Sequence, residues 1–180
     1  LHVLYTGRLM YDKGIDLLIH ALAHISSPNI ITHIVGEGPQ KKYIQFLAKK
    51  YGLQHVFFHD WTDQETLRAF YQHADIFIHP CRWPEPFGRT IVEAMLHGLP
   101  IITTAHSGSA WVAGKAGYIL PNTNPRAITK ILTEIYSDKE TLRKKSVDAK
   151  ERAKIFNPET QLSDLEVFLK NLISTTTTKN

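Results

Sequence analysis

Two carboxylates, Glu85 and Glu93, stand eight residues apart in the run Pro84-Glu85-Pro86-Phe87-Gly88-Arg89-Thr90-Ile91-Val92-Glu93-Ala94-Met95. Glu85 lies between two prolines. A residue that precedes proline is kept out of the helical region, so Glu85 is presented from an extended or turning loop. Gly88 frees the backbone again, and 89–97 reads as a short, mostly apolar helix that ends at Gly98, ahead of Pro100. Glu93 falls inside it. A helix apolar on most faces is expected to be buried, where an ionised carboxylate is costly unless hydrogen-bonded. The plainer alternative is a weak ion pair with Arg89 one turn earlier. Two acids set across a loop-to-helix junction can act as an acid/base pair or can hold hydroxyl groups.

Cations accompany them. Gly7-Arg8 and Lys13-Gly14 place an arginine and a lysine at a strand end and just ahead of a helix N-terminus, where backbone amides and the helix dipole favour an anion such as a diphosphate. Arginine offers a planar fork of donors and lysine a mobile point charge, so the pair can neutralise phosphates without a metal. The alternative is two surface cations, with Asp12 and Asp16 pairing with Lys13. Gly36-Glu37-Gly38-Pro39 starts like a dinucleotide fingerprint but has Lys41 where the third glycine belongs, so Gly36 remains a candidate for close backbone approach to a ligand or for a structural turn. Trp61 is placed to wall a base pocket or to close the core. Ser107-Gly108-Ser109 offers amides and hydroxyls, as small turn residues also do without function.

These residues need a frame that brings them together. Apolar runs at 3–6, 31–35, 55–58, 75–79, 101–104 and 117–120 read as strands, alternating with helical periodicity at 14–25, 41–51, 66–73 and 89–97. Helices at 125–136, 139–155 and 158–173 follow. The pattern predicts an α/β, Rossmann-like three-layer domain over 1–173 with a parallel sheet of about six strands, and a disordered tail at 174–180. In such sheets ligands bind beyond the carboxyl ends of the strands, where Arg8, Gly36, Trp61 and Glu85 all fall.

Composition fits an ordinary globular domain: 180 residues, 43% hydrophobic, 21% charged, net charge +4. Most of the lysines lie on amphipathic helices and read as solvated faces. The lone Cys81 has no internal partner and suits a reducing compartment as a small buried hydrophobe. The ten histidines show no metal-ligand spacing, so no metal is expected. No apolar run approaches the roughly 20 residues of a membrane span. The start on a strand, with no basic leader, suggests a piece of a longer chain without a signal peptide.

Taken together, the motifs resemble the C-terminal, nucleotide-sugar-binding domain of retaining GT-B glycosyltransferases of glycosyltransferase family four, the glycosyl transferases group 1 domain. They are Gly7-Arg8-Leu9 with Lys13-Gly14, Val35-Gly36-Glu37-Gly38-Pro39, Tyr71 with Ala74-Asp75-Ile76-Phe77, Pro80 with Glu85-Pro86-Phe87-Gly88, Glu93-Ala94-Met95, Gly98-Leu99-Pro100 and Ala116-Gly117. Glu85 and Glu93 fall on the family's Glu-x7-Glu signature. The resemblance implies catalytic roles for Glu85, Arg8 and Lys13, the two cations acting on the donor diphosphate and stabilising it as a leaving group. Glu85, with the amides of Phe87 and Gly88, would hold the transferred sugar. Arg89 and Thr90 would reach sugar and phosphate, Glu93 the ribose hydroxyls, and Trp61 the base, with Gly7 and Gly36 lining the donor. Two positions depart from the pattern: Trp111 stands where an acid is usual and Asp60 where glycine is common.

The expectation is thus an enzyme's donor-binding domain, hexosyltransferase in type and inactive alone. It would use a nucleotide sugar, a UDP-sugar first and a GDP-sugar next, with no cofactor and no nucleic acid. Its partner would be an N-terminal acceptor domain absent from this chain. Its setting would be the cytoplasm or the cytoplasmic membrane face, reached through a lipid-linked acceptor. Rival readings are a nucleotide-sugar epimerase or phosphorylase of the same architecture, and a non-catalytic basic binding module.

Overall fold

The structure is a computed structural model describing residues 1–25, 27, 29–106 and 108–177. Strands β1 (His2–Thr6), β2 (Ile31–Val35), β3 (Val56–His59), β4 (Ile76–His79), β5 (Ile101–Thr104) and β6 (Gly117–Leu120) form a parallel sheet in the order β3-β2-β1-β4-β5-β6. Helices α1 (Ile15–Leu22), α2 (Lys41–Lys50), α3 (Gln64–His73), α4 (Arg89–Leu96), α5 (Gly108–Ala113), α6 (Pro125–Ser137), α7 (Lys139–Ala153) and α8 (Pro158–Thr177) complete it. This is the predicted α/β, Rossmann-like architecture.

Parallel strands buried on both faces read as near-continuous apolar runs, which explains Ile76-Phe77-Ile78. On one face Val3, Tyr5, Ile34, Ile78 and Ile102 pack with α1, α2 and α6. On the other Leu4, Val35, Phe77 and Ile101 pack with α4, α5 and α7. The sheet order reverses between β1 and β4, which pair through Val3 with Ile76 and Leu4 with Phe77. That reversal opens a crevice at their carboxyl ends.

Boundaries differ from the sequence expectation where caps or tertiary contacts decide. α3 starts two residues before the expected 66, because the Asp63 carboxylate accepts the Thr66 amide at 2.8 Å and caps the first turn. The segment 108–113, whose Gly108-Ser109 start read as small turn residues and which was assigned no element, is helical because Val112 and Ala113 bury against the sheet. α8 runs on through Thr177, so 174–177 of the expected disordered tail are helical, and 178–180 lie outside the described residues. On the exposed faces lysines pair one turn away with glutamates, as in Lys130–Glu134 and Lys144–Glu140, which supports the solvated-face reading of the helix charges. Among the described residues no helix is long and apolar enough to cross a membrane.

Candidate functional site

The floor of the crevice is two loops zipped together. After β1, Gly7 donates to the Val35 carbonyl at 3.1 Å and Leu9 to Glu37 at 2.7 Å, while Gln40 donates back to Leu9 at 2.9 Å. Gly36, at φ 149°, lies so close behind that a Cβ on it would meet the Gly7 carbonyl oxygen at 2.0 Å. The close backbone approach expected of Gly36 is therefore to another loop of the protein. It lines neither of the cavities described below.

One wall is the loop from Pro80 to Gly88. Arg82 straps it to α1: its guanidinium donates to both oxygens of Asp16 at 2.5 and 2.6 Å and to the Tyr11 carbonyl at 3.1 Å, and it lies 4.3 Å over the Tyr11 ring. A bidentate pair fixes orientation as well as distance. The Arg82 amide also donates to Asp12 at 2.8 Å, so the 3-10 turn Tyr11–Lys13 is held against the loop. This strap brings the Lys13 ammonium onto Glu85, with which it hydrogen-bonds and ion-pairs. Lys13 thus pairs with Glu85; Asp12 is a distant second partner at 3.9 Å, and Asp16 belongs to Arg82.

Between the walls lies a cavity of about 310 Å³, lined by Tyr5, Thr6, Gly7, Arg8, Lys13, Trp61, His79, Glu85, Gly88, Arg89 and Thr90. A second, of about 220 Å³, continues past Trp61, Thr62 and Gln64 to Arg89, Thr90 and Glu93. The structure so gathers Gly7, Arg8, Lys13, Trp61, Glu85, Gly88, Arg89, Thr90 and Glu93 from three loops and the helix α4. Gly88 is the N-cap of α4 at φ 81°, the left-handed turn that glycine adopts readily, so the first amides of α4 face the cleft. The Arg8 and Arg89 guanidiniums make no ion pair among the described residues. Trp61 is 67% exposed and closes no core.

Glu93 corrects the expectation of a buried carboxylate. α4 buries Ile91, Ala94 and Met95, but Glu93 and Leu96 face outward, and no Arg89–Glu93 ion pair forms. Its carboxylate accepts the Tyr71 hydroxyl at 3.0 Å. That uses the single Tyr71 proton, so the 2.7 Å contact between Tyr71 and Thr6 has the Thr6 hydroxyl donating. Burial pushes the Tyr71 pKa up, which keeps the phenol protonated as this relay requires. Thr6 and Tyr71 were missed as site residues, although Tyr71 sits in a recognised motif, because 22 residues separate Tyr71 from Glu93 and 65 separate it from Thr6.

His79 and Cys81 were missed as well. His79 ends β4 and lines the cavity; burial, helped by the Lys13 charge, pulls its pKa down to about 4, so the ring is neutral. The Cys81 thiol lies 3.4 Å from both ring nitrogens, and burial pushes its pKa up to about 12. Their backbone is pinned by β5, where the Thr103 hydroxyl donates to the His79 carbonyl at 3.1 Å and the Thr104 hydroxyl to that of Cys81 at 3.0 Å.

Other expected residues stand outside the cleft. Phe87 turns its ring away, edge-on to Phe156, which also takes Trp111 edge-on, with Arg152 4.9 Å over the indole. Trp111 is therefore a packing residue, and the Phe87 side chain serves the same cluster. Asp60 pairs with Lys41, which also holds Glu37. Those hydrogen bonds, to Asp60 first, raise the Lys41 pKa. Ser109 is buried beside Gly88 with no hydrogen-bond partner for its hydroxyl among the described residues, and Ser107 lies outside them.

Known proteins resemble this chain in sequence and fold. The profile of the family described as glycosyl transferases group 1 matches residues 1–155. The GDP-mannose-dependent alpha-(1-6)-phosphatidylinositol monomannoside mannosyltransferase of Mycolicibacterium smegmatis is 31% identical over 76% of this chain and 38% of its own. HepE of Anabaena, solved in complex with UDP, is 25% identical with a TM-score of 0.83, over 94% of this chain and 48% of that one. The C-terminal domain of a glycosyl transferase group 1 protein from Francisella tularensis shares the fold at 21% identity and a TM-score of 0.77, covering 85% and 84% of the two chains. The chain thus spans less than half the length of the first two. With its profile, its relatives and its parallel sheet in agreement, the chain belongs to the glycosyl transferases group 1 family, in the half that carries the Rossmann-like fold of GT-B glycosyltransferases.

Proposed function

We propose that this chain is the donor-binding part of a retaining glycosyltransferase that moves a hexosyl group from a nucleoside diphosphate to a glycan or lipid-linked acceptor. The observation that carries the reading is the convergence of Arg8, Lys13, Glu85 and the amides at Gly88–Thr90 on one cavity, continuous through Trp61 with Glu93. Two cations and a helix N-terminus suit a diphosphate and the charge that grows on it as the sugar departs. Glu85 and the amides of Phe87 and Gly88 address the sugar, and Glu93, oriented by Tyr71, takes the ribose diol. Neither carboxylate has to move a proton. Lys13 bridges the parts, because the ammonium that holds Glu85 also faces the phosphates.

A UDP-sugar is the favoured donor, with HepE solved with UDP as support; a GDP-sugar is next, as used by the mycobacterial relative. The cations take the place of a metal cofactor. The acceptor and the remaining catalytic groups belong to an N-terminal domain outside this chain, so alone it binds donor without turnover. Work at the cytoplasmic membrane face fits a lipid-linked acceptor.

Calorimetry with UDP, GDP and ADP on this chain tests the reading, with UDP expected to bind most tightly. Lys13→Ala is expected to weaken UDP at least tenfold, on the order of 1.4 kcal/mol, and uridine hardly at all. Equal losses for the two remove Lys13 from the phosphate site.

A further inference from the structure

We propose that His79, Cys81 and Glu85 form a binding site for a thiophilic divalent cation, Zn2+ foremost. A ring nitrogen, the thiol sulfur and a carboxylate oxygen lie within 4.8 Å of one another. Nitrogen, sulfur and oxygen from one residue each are a borderline-soft donor set, which selects Zn2+ over Mg2+. His79 is the last residue of β4, Cys81 follows two residues beyond the strand, and Glu85 returns across the proline loop.

Zinc–sulfur and zinc–nitrogen bonds of ordinary length set at a tetrahedral angle leave sulfur and nitrogen about 3.6 Å apart. Here the sulfur lies 3.4 Å from both ring nitrogens, so the His79 ring has to turn about its χ2 to aim one nitrogen's lone pair at an ion shared with the sulfur. The widest separation has to close by about an ångström, which the rotatable end of Glu85 supplies. The Thr103 and Thr104 hydroxyls pin the carbonyls of His79 and Cys81, which fixes the backbone from which both side chains reach. Access is through the cavity that His79 and Glu85 line.

One cation already uses part of this site: the Lys13 ammonium on Glu85. Zn2+ entry therefore displaces Lys13 from Glu85, forms a bond to the Cys81 sulfur, and releases the thiol proton to solvent. A dication against a thiolate and a carboxylate leaves the site neutral. Bound there, the ion removes Glu85 from the donor and antagonises nucleotide-sugar binding. That consequence rests on the function proposed above, whereas the metal site rests on its three ligands, so the two fail separately.

Cobalt titration of the chain gives the decisive readout. Cys81 is the only cysteine, so a thiolate-to-cobalt charge-transfer band reports on it directly. The expected result is that band at one Co2+ per chain, removed by Zn2+ and untouched by Mg2+. Cys81→Ser abolishes the band, and His79→Gln weakens Zn2+ about tenfold or more. Lys13→Met, which removes the competing ammonium, tightens Zn2+ severalfold. Wild-type protein without the band overturns the proposal independently of any variant's folding. So does Lys13→Met with unchanged or weaker Zn2+ affinity, because it places the ion away from Glu85.

Discussion

Tyr71→Phe separates the orientation of Glu93 from its presence. The substitution deletes one hydroxyl that donates to Glu93 at 3.0 Å and accepts from Thr6 at 2.7 Å. Thr6 is only 6% exposed, so its hydroxyl loses a partner that water cannot readily replace, at about 1–3 kcal/mol. Glu93 faces solvent, and water recovers most of its lost bond, so that end contributes about 1 kcal/mol or less. Stability to urea should fall by about 1–4 kcal/mol in total. If Glu93 takes the ribose diol, the carboxylate freed from Tyr71 must be re-ordered on binding. At about 1 kcal/mol that is roughly a fivefold loss of UDP affinity by calorimetry. A double-mutant cycle with Glu93→Gln isolates this term, since contacting groups show non-additive losses. Losses in UDP affinity that simply add would mean that Tyr71 does not act through Glu93, and the relay would have no part in binding.

Two further outcomes follow from contacts elsewhere. Arg82→Ala leaves Asp16, whose side chain is 10% exposed, without its counter-ion. Because Arg82 itself keeps a fifth of its side chain in water, the loss is about 2–3 kcal/mol rather than the full cost of breaking a buried pair. Urea unfolding checks it, and a loss under about 0.5 kcal/mol would show that the strap holds nothing. The pH dependence comes from His33 and His59, whose ring nitrogens meet at 3.0 Å beneath Phe70, with His2, Phe57 and Asp60 around them. Burial lowers both pKa values, so the unfolded chain binds protons first. Their contribution to stability is present above the ordinary histidine pKa of about 6.5 and is lost as pH falls below it. His33→Phe should flatten the fall in urea midpoint below that pH, and an unchanged slope would refute the assignment.

The strand ends and the Glu85 loop were legible because proline, glycine and apolar runs act locally. Pro84 and Pro86 force Glu85 off the helix, and Gly88 supplies the φ of 81° that starts α4. Glu93 was misjudged for the opposite reason. Composition shows how much of a helix is apolar, but not which face its neighbours cover, and α4 leaves open the face that meets the cleft. The missing site residues are all long-range. Tyr71 meets Glu93 across 22 positions, Arg82 meets Asp16 across 66, and Thr103 meets the His79 carbonyl across 24. No periodicity encodes such pairs. α5 was hidden by its Gly-Ser start, a turn signal that the burial of Val112 and Ala113 overrides.

The back-to-back packing of Gly36 and Gly7 sets the depth of the cleft from behind. A methyl at Gly36 would sit 2.0 Å from the Gly7 carbonyl oxygen, against about 3.4 Å for ordinary contact. Relief requires moving the Gly7 peptide by more than an ångström, and Gly7 lines both cavities. The room in those cavities is in this sense governed by a position that does not line them. The loops after β1 and β2 therefore have to vary together, and a library that randomises the cavity lining alone would leave its deepest constraint unchanged.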